Sequence, residues 1–185
     1  PPRSTLFPYT TLFRSITDTT NTKNMKTFLI LLDIFRILLV SFSIYYGYSI
    51  GFENGYDPVS QLHVMIPLII LAIAGISGLE GLLFSEVSAE LKGYETGSNY
   101  QKQSAIALLS YAVISAVVFF FEWGIKAELT IFFTFMFFFI FSGLNHAVDA
   151  IKRKNYKWQN INRPIITLLL IAATIYPIVK ALQIR

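Results

Sequence analysis

From Phe28 onward the chain alternates between long apolar stretches and short polar ones. The apolar stretches run from Phe28 to Tyr48, His63 to Phe84, Ala105 to Phe121, Leu129 to Val148 and Ile165 to Leu182. A hydrocarbon layer of ~30 Å takes roughly 20 helical residues to cross, with about 17 as the lower end. The pattern therefore predicts an all-α integral membrane bundle of five transmembrane helices, one amino-terminal helix added to a four-helix core. The third and fifth spans are short, and they reach across once flanking Ser, Gln and Lys side chains snorkel. Phenylalanine-rich runs, Phe119 to Phe121 and Phe132 to Phe141, surround their helices on every side and read as packing and lipid-facing bulk.

Composition agrees with that architecture. Hydrophobic residues make up 54% of the chain and charged residues 14%, against about 25% charged in a soluble domain. No water-soluble core could hide so much apolar surface. The absence of cysteine removes disulfides, thiolate nucleophiles and Cys-ligated metal sites together.

The net charge of +4 sits mostly in loops that flank the spans, so it orients the protein and does not signal nucleic acid. With the amino terminus inside, the cytoplasmic segments hold Lys23, Lys26, Lys92, Lys102, Lys152, Arg153, Lys154, Lys157 and Arg163. The outer segments hold Lys126, Lys180 and Arg185. Nine positive charges against three predict a multi-pass protein of the cell membrane with N-terminus cytoplasmic and C-terminus outside. Tyr45, Tyr46, Tyr48, Trp123 and Tyr176 then belt the outer interface, and Tyr156 and Trp158 the inner one. The juxtamembrane residues Lys152, Arg153, Lys154 and Lys157 fit contact with anionic lipid, at ~1 kcal/mol per positive residue.

The first residues do not read as part of the fold. They lack a methionine, and the run Phe7 to Ser15 resembles a translated sequencing-library adapter. Met25, followed by Lys26 and the first apolar run, reads as the start. Residues 1–24 are therefore expected to be a non-native leader and 25–185 a single transmembrane domain. Asp33 and Arg36 interrupt the apolar run, and no small-residue cleavage site follows, which argues against a signal peptide.

Few ionisable residues fall within the spans, where each costs roughly 2.5 to 3.5 kcal/mol at the helix centre. Asp33 and Arg36 lie three apart on the first helix and share a face. Glu80 lies in the second, within the run Gly75 to Gly81. Asn145, His146 and Asp149 close the fourth, with His146 and Asp149 three apart. At ~1.5 Å per residue, Glu80 and His146 reach about the same depth toward the cytoplasm, and Asp33 falls within a turn of it. One reading makes Glu80, His146 and Asp149 a cytoplasm-facing pocket in which a carboxylate orients an imidazole suited to proton relay. The other makes them interhelical hydrogen bonds that fix packing, worth ~0.6 kcal/mol apiece. Gly75, Gly78 and Gly81 form a stripe for close helix packing. His63 has no partner at metal-ligand spacing and reads as interfacial. No zinc-protease, phosphate-loop or di-iron motif is present, so neither a metal nor a cofactor is expected.

Three stretches carry a family resemblance: Gly75 to Glu86, Gly97 to Gln103, and Gly143 to Asn155, followed by Asn160 and Asn162-Arg163-Pro164. Their order resembles an uncharacterised family of small membrane proteins of bacteria and archaea with a four-helix core, over roughly Met65 to Ile184. Lys102 departs from it, standing where that pattern would have an acidic residue. The resemblance implies fold and location without chemistry. A likeness to DoxX-like proteins rests on helix count alone. Three functions remain open: a non-enzymatic membrane component, a small proton-linked carrier or channel using Glu80 and His146, or an enzyme acting on lipid or quinone. Five helices enclose so little volume that a carrier would be expected to form a homo-oligomer.

Overall fold

The computed structural model describes residues 9–96 and 99–184, with side chains from Thr22 onward except that of Gln159. Every regular element among these residues is helical: α1 (Tyr9–Gly51), α2 (Pro58–Leu83), α3 (Ser85–Lys92), α4 (Asn99–Phe120), α5 (Ile125–Lys152) and α6 (Trp158–Gln183). All but α3 are long and apolar enough to cross a membrane. The five spans match the five apolar stretches but overrun them. α4 begins at Asn99 and α6 at Trp158, because backbone hydrogen bonding carries a helix on through polar residues that need no apolar surroundings. α1 runs through Met25 from Tyr9; Pro1 to Pro8, with the start of the adapter-like run, and Gly97 and Ser98 of the second family stretch lie outside the described residues.

Local chemistry sets the helix ends. Asp57 caps α2, its Oδ1 accepting from the backbone N–H groups of Val59 and Ser60 at 3.0 and 3.2 Å, with Pro58 at the first helical position. The Ser60 hydroxyl and these N–H groups hold the Asp57 carboxyl below its usual range. α3 ends at Gly93, whose φ of 75° is left-handed and open to glycine at little cost. Leu71–Gly75 winds as a π turn inside α2.

α2 is the central helix. Of its most apolar window 61% is buried, against 11% for α1, which lies at the periphery. Leu62, Met65, Ile66 and Ile69 of α2 pack into a core completed by Phe132, Phe135 and Phe139 of α5, Leu108 of α4 and Leu170 of α6. Phe133, Phe137 and Phe141 point outward, so the phenylalanine run serves two faces at helical spacing.

Close approach of α2 and α4 depends on two glycines. A methyl group at Gly78 would lie 2.6 Å from Leu109 Cγ and 2.9 Å from the Ala105 carbonyl, and one at Gly81 2.7 Å from Ala105 Cβ. Gly75 is looser, with 3.6 Å to Ala112 Cβ.

α1 meets α6 near its carboxyl end. There Tyr48 Oη donates to the Ala173 carbonyl at 2.9 Å, and the rings of Phe52, Tyr56 and Tyr176 continue the contact. Burial, then the neighbouring Tyr176 and Tyr48, push the Tyr56 phenol up to about 12. Toward the other end, the basic end, α1 and α6 part around a cleft of ≈ 170 Å³.

Candidate functional site

The basic end is built around Glu80, which is 2% exposed. Its Oε1 accepts from Ser88 Oγ at 2.5 Å and from Lys92 Nζ, and its Oε2 accepts from Arg36 Nη2 at 2.7 Å. Arg36 Nη1 also donates to Asp33 Oδ1 at 2.6 Å. Three elements thus converge on one carboxylate. α1 supplies Asp33 and Arg36, one turn apart; α2 supplies Glu80; α3 folds back so that Ser88 and Lys92, also one turn apart, face it. Lys92 Nζ donates to Ser88 Oγ at 2.8 Å, which closes the ring. Burial pushes the Lys92 ammonium below its ordinary value, and the Glu80 carboxylate opposes that shift. At the surface Lys26 Nζ reaches Glu90 Oε1 at 2.8 Å, a second tie from α1 to α3.

His146 belongs to a neighbouring network. Its Nδ1 lies 2.5 Å from Tyr94 Oη and 2.7 Å from Asn160 Oδ1, and the Tyr94 hydroxyl donates to that same Oδ1 at 3.2 Å. Asn160 Nδ2 donates to the Asn155 carbonyl at 2.9 Å, which turns Oδ1 toward the ring. An oxygen accepting at Nδ1 places the imidazole proton on Nδ1 and leaves Nε2 as the acceptor. Burial raises the Tyr94 phenol to about 12, so it remains a donor at neutral pH.

The expected grouping is therefore resolved into two networks. Asp33, Arg36 and Glu80 come together in the first; His146 lies in the second, oriented by a phenol and an amide where a carboxylate was expected. Asp149 turns instead to Arg153 Nε at 3.1 Å and Asn155 Nδ2 at 3.2 Å. Asn145 is exposed and takes part in neither network among the described residues. The link between them is Lys92, whose side chain reaches Glu80 while its carbonyl accepts from Asn155 Nδ2 at 3.2 Å.

Lys92, Ser88, Tyr94 and Asn160 are the partners that span-by-span reading overlooks. The signal available was the Ser88–Lys92 spacing of one helical turn, and Asn160 stood just after the third family stretch. At the opposite end the Nδ1 of His63 lies 2.6 Å from Glu128 Oε1, and its ring stacks on Phe119. No group of three or more His, Asp or Glu among the described residues is placed to share a metal ion.

The cleft beside Glu80 is lined at its polar end by Asp33, Arg36, Lys92 and Arg163, and deeper by Ile37, Val40, Ile73, Phe139 and Leu170. Ser41 and Leu169 on its rim are exposed. α1, which forms one wall, precedes the residues matched in the comparison of this chain with known families. No curated protein and no solved structure matches the chain. The family match spans residues 59–183, all four helices of the expected core with α3 between them, and the chain belongs to DUF6790, a family of unknown function.

Proposed function

We propose that this protein is a non-enzymatic component of the cell membrane, N-terminus cytoplasmic and C-terminus outside, whose buried ionic network clamps α1 onto the four-helix core. The observation that carries this reading is the saturation of Glu80. Both oxygens are held by donors from two other helices, two of them cations, so the carboxylate is committed to partners that span the α1–core junction. A proton carrier needs a carboxylate that exchanges partners as it loads and unloads. A buried ion pair stripped of one member leaves an uncompensated charge, at a cost of about 3–5 kcal/mol.

The excess of positive loop charge at the basic end supports the orientation. Lys152 and Lys154 there are exposed and form no ion pair among the described residues, which suits contact with anionic lipid.

The clamp is tested with Glu80→Gln in the purified protein and in vesicles loaded with a pH-sensitive dye. The expected result is a marked fall in melting temperature, with proton leakage no different from wild type. Wild-type proton flux abolished by Glu80→Gln at unchanged melting temperature would establish a carrier instead. Orientation is read from single cysteines, which the cysteine-free chain makes simple. A membrane-impermeant maleimide should label Asn54→Cys in intact cells and Lys154→Cys only after lysis; the reverse pattern would invert the topology.

A further inference from the structure

The cleft between α1 and α6 has one charge too many. Arg36, Lys92 and Arg163 line its polar end, while Asp33 and Glu80 are the carboxylates that answer them. Arg163 makes no side-chain hydrogen bond and no ion pair among the described residues, although it is half-buried. Arg36 Nε and Ser77 Oγ, both buried at the same cleft, also lack a hydrogen-bond partner among the described residues. Donors left unmatched in low-dielectric surroundings are costly. Deeper in, the walls turn apolar through Ile37, Val40, Ile44 and Leu170, and the exposed rim at Ser41 and Leu169 opens the cleft sideways.

We propose that this cleft binds an anionic phospholipid, its phosphate held by Arg163, Lys92 and Arg36 Nε and one acyl chain lying between α1 and α6. Charge selects the headgroup. Three cations against two carboxylates leave a single positive charge, which a phosphodiester neutralises, and guanidinium presents paired donors to phosphate oxygens. Geometry selects a lipid over a free ion, because the polar end continues into an apolar trough in the direction an acyl chain takes. The site adds a ligand to the non-enzymatic reading and shares Arg36 and Lys92 with the clamp, but it is tested apart from the clamp at Arg163, which takes no part in it.

Trp158 lines the polar end and reports on occupancy. The chain has two tryptophans, so Trp123→Phe leaves Trp158 as the single emitter. The full chain is reconstituted in phosphatidylcholine vesicles that contain brominated phosphatidylglycerol or, in parallel, brominated phosphatidylcholine. Brominated phosphatidylglycerol should quench Trp158 in excess of brominated phosphatidylcholine. Arg163→Gln should weaken the apparent affinity by about tenfold or more, the loss of one charge-assisted contact. Neutralising Lys152, Arg153 and Lys154 together should leave the excess in place, since those side chains attract lipid only to the surface.

Equal quenching by both lipids, or an excess that survives Arg163→Gln, would overturn the site. An excess that disappears with the triple surface variant would reassign it to general attraction at the interface. Stronger quenching by brominated oleate, or displacement by inorganic phosphate, would show that a fatty acid or a free anion is the ligand. Should Arg163→Gln fail to fold, Ser41→Phe blocks the trough without changing charge and must lose the same excess; retention there would refute the acyl-chain placement.

Discussion

Glu80, Arg36 and Lys92 show how charged side chains are accommodated at a helix end in apolar surroundings: each meets an opposite charge, and a serine fills the remaining place. Glu80→Gln keeps the shape and removes the charge that both cations face, so we expect a loss of about 3 kcal/mol in unfolding free energy, measured by thermal denaturation in detergent. In the second network Asn160→Ala removes the oxygen that the Nδ1 of His146 and the Tyr94 hydroxyl both reach, at about 1–3 kcal/mol. Tyr94 also makes stability depend on alkaline pH. Its value rises from 10.0 to about 12 in the folded protein, so the folded state binds the proton more tightly. That contribution is intact below pH 10 and is lost as pH climbs toward 12. Tyr94→Phe should flatten this part of a pH titration of melting temperature, whereas an unchanged slope would remove Tyr94 from the account. The pairing of Asp33 with Arg36 was legible from their spacing of three. The orientation of His146 was not, because its partners come from the loop after α3 and the first turn of α6, where no periodicity connects them to α5.

At the scale of elements, five spans were legible because a run of apolar residues of bilayer length has few other physical solutions. α3 was not. It is about two amphipathic turns next to a span, too short for its pattern to stand out, and yet it brings Ser88 and Lys92 onto Glu80. The glycine stripe was visible in sequence, but which glycines are tightly packed depends on where α4 crosses. Gly78→Ala drives a methyl group against Leu109 and the Ala105 carbonyl, and should cost about 1–3 kcal/mol. Gly75→Ala finds 3.6 Å of room and gains helix propensity, so it should be neutral or stabilising by up to about 1 kcal/mol. Melting temperatures of the two variants give the comparison, and equal effects would contradict the crossing described.

For the whole molecule, the question is how a peripheral helix stays attached. α1 buries little of its apolar surface, and apolar burial drives no association between helices already in lipid. What fixes it are contacts at two levels: glycines Gly47 and Gly51 set against Met65 and Gln61 with Tyr48 on Ala173 near its carboxyl end, and the Asp33–Arg36–Glu80–Lys92 network about three to four turns earlier. Between them α1 stands away from α6 and leaves the cleft. The family match excludes α1, so the clamp joins this helix to a core that the family shares. The most direct measurement is a double-mutant cycle on the unfolding free energy of Arg36→Met and Glu80→Gln. The clamp predicts that the two changes fail to add, with a coupling of about 1–3 kcal/mol; additivity within about 0.5 kcal/mol would contradict it.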